Sequence, residues 1–125
     1  MSTILIVEDN EKNMKLMRDV LQHAGHATME ARTGEAGVQM AIGNPPDLIL
    51  MDVQLPGMSG IAALQKFREQ AALRAVPVIA VSASVMPDDH RSIVNSGFDA
   101  FMTKPIALKT LRATVERFLS GRPPR

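Results

Sequence analysis

Four short apolar runs in this sequence each end in residues able to do chemistry. Ile4-Leu5-Ile6-Val7 leads into Glu8 and Asp9, and Leu48-Ile49-Leu50-Met51 leads into Asp52. Val78-Ile79-Ala80-Val81 leads into Ser82, and Ala100-Phe101-Met102-Thr103 into Lys104. A lone Asp after a strand is equally well explained as the start of a turn, and the turn formers Pro56, Gly57, Ser59 and Gly60 do follow Asp52. Brought into one pocket, however, three carboxylates repel one another, and at least one pKa rises unless a cation intervenes. A hard divalent cation such as Mg²⁺ resolves the conflict, because it takes carboxylate, water and phosphoryl oxygens. A lysine adds a mobile point charge suited to a phosphoryl group, and a serine adds a hydroxyl donor. Carboxylate nucleophile, metal, lysine and hydroxyl together describe a site for phosphoryl transfer, where catalysis is mostly positioning and charge neutralisation.

Whether the residues meet depends on the elements that carry them. The apolar runs are short and continuous, and the first is rich in β-branched residues, as expected for strands covered on both faces of a parallel sheet. Between them the apolar residues recur at helical spacing. Met14, Met17, Val20, Leu21 and Ala24 form one stripe, closed by Gly25. Ala27-Thr28-Met29-Glu30-Ala31 reads as a weaker, edge-like strand, Thr33-Gly34-Glu35 as a turn, and residues 36–42 as a short helix ended by Pro45 and Pro46. Asp47 opens the central strand, and Ile61, Leu64, Phe67 and Ala71 mark a third helix. Pro77 opens the fourth strand, and Pro87-Asp88-Asp89 starts a fourth helix that closes at Ser96-Gly97. Leu108, Leu111, Val115 and Phe118 trace the last one.

Five strands alternating with five helices at short spacing imply right-handed crossovers and a doubly wound α/β fold. If the sheet order is 2-1-3-4-5, strands one and three are neighbours at the topological switch point, and Glu8, Asp9 and Asp52 converge there.

Composition narrows the classes. A chain of 125 residues supports one core and not two. Lys and Arg number 14 against 13 Asp and Glu, a formal charge of +1, which lacks the basic excess of a dedicated nucleic-acid binder. There is no Cys, hence no disulfide framework and no thiolate metal site. His23, His26 and His90 follow no metal-ligand spacing and are expected at the solvated surface. Nine Met are expected mainly as core filler in a chain with four Phe and no Trp or Tyr. No basic segment leads into an apolar signal region, and no run approaches the roughly 18 apolar residues of a membrane span. The expectation is a soluble, cytoplasmic protein.

At this point the sequence strongly resembles the receiver domain of two-component response regulators. The matching features are Glu8-Asp9 after strand one, Met51-Asp52 with Pro56 and Gly60 in the next loop, Ser82-Ala83 after strand four and Lys104-Pro105 after strand five. The resemblance covers residues 1–121 and leaves 122–125 as a short tail with no output domain. It implies a flavodoxin-like three-layer sandwich. It also implies that Asp52 accepts a phosphoryl group from a phosphohistidine on a histidine kinase or histidine phosphotransfer protein. Asp9, Asp52 and the backbone carbonyl of Gln54 would bind Mg²⁺ directly, and Glu8 mainly through water. Lys104, the Ser82 hydroxyl and the Ala83 N–H would hold phosphoryl oxygens, and the Lys104-Pro105 bond would be cis. Ser82 and Phe101 would act as the switch, reshaping the face of the fourth helix, fifth strand and fifth helix for a downstream protein partner. Such a chain is a phosphoacceptor that catalyses its own phosphorylation and dephosphorylation, rather than a turnover enzyme.

Two positions depart from the commonest pattern of the family: Ser82 stands where Thr is frequent, and Phe101 where Tyr is frequent. Within the family, Val7-Glu8-Asp9-Asn10, Asn13-Met14-Lys15-Leu16 and Pro46-Asp47-Leu48-Ile49-Leu50-Met51-Asp52 match both single-domain regulators and receivers of hybrid histidine kinases. A regulator of a partner such as a kinase, a phosphate-shuttling receiver and a binding-only pseudo-receiver are therefore all on the table. The pseudo-receiver would typically lack Asp9, Asp52 or Lys104, and all three are present. Rivals outside the family fit worse. A flavin carrier needs a phosphate loop after strand one and usually stacking aromatics, and a nucleotide-binding enzyme needs a Gly-rich loop there. An aspartyl-phosphate phosphohydrolase needs a second acid two residues after its nucleophile, where Gln54 stands.

Overall fold

Strand formation follows the apolar runs closely. The computed structural model describes residues 2–53, 58–82 and 97–120. In it β1 (Thr3–Val7), β2 (Ala27–Ala31), β3 (Leu48–Asp52), β4 (Val78–Ser82) and β5 (Ala100–Thr103) form one sheet in the order β2-β1-β3-β4-β5. Every pairing is parallel. The register sets Val7 opposite Met51, Asp52 opposite Val81, and Ser82 opposite Thr103.

Alternation of side chains across the sheet explains why the runs are apolar throughout. Leu5, Val7, Ile49 and Met51 enter the core under α2 (Gly34–Gly43) and α3 (Gly60–Glu69), beside Val38, Ala41, Leu64 and Phe67. Ile4, Ile6, Leu48 and Leu50 enter the core under α1 (Glu11–His23) and the C-terminal helix (Leu108–Ser120), beside Met14, Met17, Leu21, Leu111 and Val115. The result is the expected three-layer, doubly wound arrangement. Met14, Met17, Met51 and Met102 are core residues, and Met29, Met40 and Met58 pack at its margin.

Each of the first three helices starts at a side-chain cap that satisfies an otherwise orphaned N–H. The Asn10, Thr33 and Ser59 side chains accept from the N–H groups of Asn13, Ala36 and Ala62. Thr33 as the cap places Gly34 and Glu35 inside α2, where the sequence suggested a turn. Ala71 belongs to a 3₁₀ turn (Ala71–Leu73) rather than to α3, because α3 ends at Glu69. Asp47 precedes β3, and its carboxylate accepts from the Thr3 N–H at 2.8 Å. Leu108 opens the C-terminal helix but is 46% exposed, so it is no core residue. His23 is exposed, whereas His26 is half-buried. The predicted fourth helix at residues 87–96, with His90, lies outside the described residues, as do Gln54, Ala83, Ser84, Val85 and Met86. Among the described residues no helix is long and apolar enough to cross a membrane.

Candidate phosphoacceptor site

The site is built by sheet order. Because β1 and β3 are neighbours with Val7 opposite Met51, the next residue of each, Glu8 and Asp52, comes side by side. Both are buried: Glu8 is 0% and Asp52 3% exposed. Asp9 follows Glu8 and stays open to solvent. Carboxylate oxygens of Glu8, Asp9 and Asp52 all lie within 4.8 Å of one another.

Lys104 leaves the end of β5, two strands from β3, a gap of about 9.6 Å. An extended lysine and an aspartate span that gap. The Lys104 Nζ donates to Asp52 Oδ2 at 2.9 Å and stands 2.9 Å from Glu8 Oε1. The second contact is an ion pair at the same distance, so the Lys104 ammonium serves both buried carboxyl groups. Glu8 Oε2 accepts from the Asn10 N–H at 3.1 Å. The Lys104 backbone N–H donates to the Ser82 carbonyl at 2.9 Å, fixing the end of β5 to the end of β4. The Lys104-Pro105 bond is cis, as expected.

Electrostatics follow from burial. Desolvation pushes the Glu8 carboxyl up to about 7, against the lowering contacts with Lys104 and the Asn10 N–H, and with a further rise from Asp52. For Lys104, burial disfavours the charge, but the contacts with Glu8 and Asp52 outweigh it and hold its pKa above the ordinary lysine value.

The donor set fits a hard divalent cation. It is all oxygen, and it has two buried carboxylates and one open to water. Thus Glu8, Asp9, Asp52 and Lys104 come together as expected, with Ser82 fully buried at the neighbouring strand end. Phe101 is half-buried on β5, opposite Ala80. Gln54 and Ala83 lie outside the described residues.

The loop leaving Asp52 is fastened in ways the sequence did not signal. The Gly60 N–H donates to the Val53 carbonyl at 3.1 Å. A Cβ at Gly60 would stand 2.6 Å from Val53 Cα and 2.8 Å from the Asp52 carbonyl oxygen, so only glycine permits this approach. The Met58 N–H donates to Glu35 Oε1 at 3.2 Å. Arg32, before α2, pairs with Glu11 at the start of α1. The last two contacts join residues far apart in sequence, with no local pattern to mark them.

Comparison with known proteins identifies the family. Residues 4–116 match the response regulator receiver domain, and the chain belongs to that family, whose members are phosphoacceptor signalling domains that generally bind Mg²⁺. It is 40% identical over 117 residues to the polar-differentiation response regulator DivK of Brucella ovis, covering 94% of this chain and 95% of that one. Among solved structures it is similar to the receiver domain of a signal transduction histidine kinase from Syntrophus aciditrophicus, with TM-score 0.92 and 34% identity over 100% of this chain and 95% of that one. It is also similar to the receiver domain of a sensor histidine kinase from Pseudomonas aeruginosa PAO1, described with a magnesium ion coordinated in its active-site cleft. There the TM-score is 0.90 and the identity 29%, over 96% of this chain and 98% of that one.

Proposed function

We propose that this chain is a DivK-like response regulator whose Asp52 accepts a phosphoryl group from a phosphohistidine on a histidine kinase or histidine phosphotransfer protein. The observation that carries the reading is the Lys104 ammonium, 2.9 Å from both Asp52 Oδ2 and Glu8 Oε1, beside a third carboxylate at the β1–β3 switch point.

In the step proposed, an Asp52 carboxylate oxygen attacks phosphorus. The P–N bond to the donor histidine breaks, and the imidazole nitrogen keeps the electron pair. Lys104 transfers its contact from the carboxylate to the incoming phosphoryl oxygens. The Ser82 hydroxyl and the Ala83 N–H donate to those oxygens. Asp9 and Asp52, with the Gln54 carbonyl and with Glu8 through water, would hold Mg²⁺, which supplies neutralisation of the phosphoryl charge. The same residues serve hydrolysis of the acyl phosphate, so the chain governs its own dephosphorylation.

Phosphorylation then favours one of two states by differential contacts. Ser82 moves toward the phosphoryl group, and Phe101 turns toward the space it leaves. A cavity of about 210 Å³ lined by Phe101, Met102, Thr103, Pro105, Ile106 and Thr110 lies on this side of the molecule and supports the face of β5 and the C-terminal helix as the partner surface. The partner fitted to this role is a protein such as a kinase. Likeness to receiver domains of two histidine kinases favours a second reading, a receiver that passes the group onward to a phosphotransfer protein.

The test is transfer from a phosphotransfer protein labelled on histidine. Label is expected to move to this chain in Mg²⁺, to be base-labile and to be absent from Asp52→Asn. Label that stays on the donor for every phosphotransfer protein and kinase offered contradicts the reading. Return of label to a second, unlabelled phosphotransfer protein selects the shuttle.

A further inference from the structure

We infer that Glu35, which lies outside the acidic cluster, is a positioning residue for it, acting through the backbone of Met58. The inference rests on the phosphoacceptor reading of Asp52.

Glu35 stands in the first turn of α2, where a carboxylate is ordinarily retained for the helix's own N–H groups and dipole. The Thr33 side chain already caps that end. The Glu35 carboxylate instead accepts from the neighbouring Met58 N–H at 3.2 Å. Two further contacts put Met58 there. Its side chain packs against the core beneath α2 and α3. A Cβ at Gly34 would lie 3.2 Å from both the Met58 Cβ and its carbonyl oxygen, so the start of α2 and this loop are already in close approach.

The loop from Asp52 to α3 is therefore held at two points. Gly60 closes it onto the Val53 carbonyl, and Val53 donates to the Val81 carbonyl at 3.0 Å, which fixes the end beside Asp52. Glu35 fixes the other end. Just before α2, Arg32 pairs with Glu11, one turn after the acidic pair Glu8-Asp9. The start of α2 thus stands between the loop that follows Glu8 and Asp9 and the loop that follows Asp52. It acts as a strut between the loop that carries Asp9 and the segment that leaves Asp52, while the β1–β3 register sets Glu8 beside Asp52. A cation shared between the two loops senses that spacing, because oxygen-ligated Mg²⁺ demands near-ideal geometry, and so does in-line transfer to Asp52.

The test compares wild type, E35A, E35Q and G34A. MgCl₂ affinity is measured by calorimetry, and phosphoryl uptake from acetyl phosphate by intact mass. E35A is expected to weaken Mg²⁺ binding roughly three- to tenfold, the scale of one hydrogen bond, and to slow uptake in proportion. E35Q keeps an oxygen acceptor without the charge and is expected to stay within about twofold of wild type. G34A presses on Met58 without touching the Glu35 carboxylate and is expected to reproduce the E35A loss. Wild-type affinity in E35A overturns the inference. So does an E35Q loss equal to that of E35A and erased by salt, which assigns the effect to charge. A wild type that binds no Mg²⁺ and takes up no phosphoryl group overturns the phosphoacceptor reading itself, and the inference with it.

Discussion

Glu8 and Lys104 show what it costs to hold a cluster of carboxylates ready for a cation. Glu8 is fully buried beside Asp52, and its carboxyl is pushed up from an ordinary 4.5 to about 7 by desolvation first. Between about pH 4.5 and 7 the folded chain therefore keeps a proton on Glu8 that the unfolded chain has released. The stabilising contribution of that proton is fully present below pH 4.5 and is lost as pH rises through about 7. In EDTA, urea denaturation of wild type from pH 5 to 8 is expected to show this loss, with a slope of at most about 1.4 kcal/mol per pH unit, and Glu8→Gln is expected to flatten it. Equal slopes in the two proteins contradict the assignment. Lys104 is held protonated by the same neighbours. Lys104→Met leaves two buried carboxylates without their ammonium, and is expected to destabilise the metal-free chain by about 3 kcal/mol, read from the same denaturation curves. An unchanged midpoint would mean that the ammonium contributes little there.

At the scale of elements, the site depends on where strands stop and how loops return. Glu8, Asp52, Ser82 and Lys104 follow from strand ends, and strand ends were legible because each apolar run breaks at a polar residue. The helix starts were less so. Thr33-Gly34-Glu35 has turn composition, and only the Thr33 cap shows that Gly34 and Glu35 are helical. Leu108 fits a helical stripe yet is exposed, since a stripe does not tell which turn of a helix leaves the core. The return of the loop onto Asp52 was not legible either, because Gly60 reads as a turn former whether or not backbone lies against it. Gly60→Ala would set a methyl 2.6 Å from Val53 Cα, where the neighbour is backbone and cannot swing aside. It is expected to cost about 1–3 kcal/mol in urea denaturation and to lower the rate of phosphoryl uptake. An Ala variant with wild-type stability and uptake would show that the loop has room to move. At the opposite edge of the sheet Arg68 donates to the carbonyls of Leu73, Arg74 and Val76 and pairs with Asp99, which also accepts from the Val78 N–H. That clasp joins α3, β4 and the start of β5 away from the chemistry.

At the scale of the whole molecule, the order β2-β1-β3-β4-β5 follows from a sheet buried on both faces and wound in two directions from β1. That much was readable from the alternation of apolar runs and helical stripes. The ties between distant segments, Glu35 to the Met58 N–H and Arg32 to Glu11, were not, because each joins groups that no local pattern couples. If Glu8, Asp9 and Asp52 hold a cation only in the folded chain, Mg²⁺ must stabilise the fold. At ten times its dissociation constant the gain is about 1.4 kcal/mol, or roughly 5 °C in melting temperature. A melt with and without MgCl₂ is expected to show this rise in wild type and to lose it in Asp9→Asn. The most direct measurement is intact mass after incubation with acetyl phosphate or phosphoramidate, in Mg²⁺ or in EDTA, on wild type and Asp52→Asn. A single phosphoryl adduct on wild type, lost in EDTA and absent from Asp52→Asn, is the result expected of an Asp52 phosphoacceptor. An adduct that persists in Asp52→Asn, or none on wild type with either donor, contradicts it.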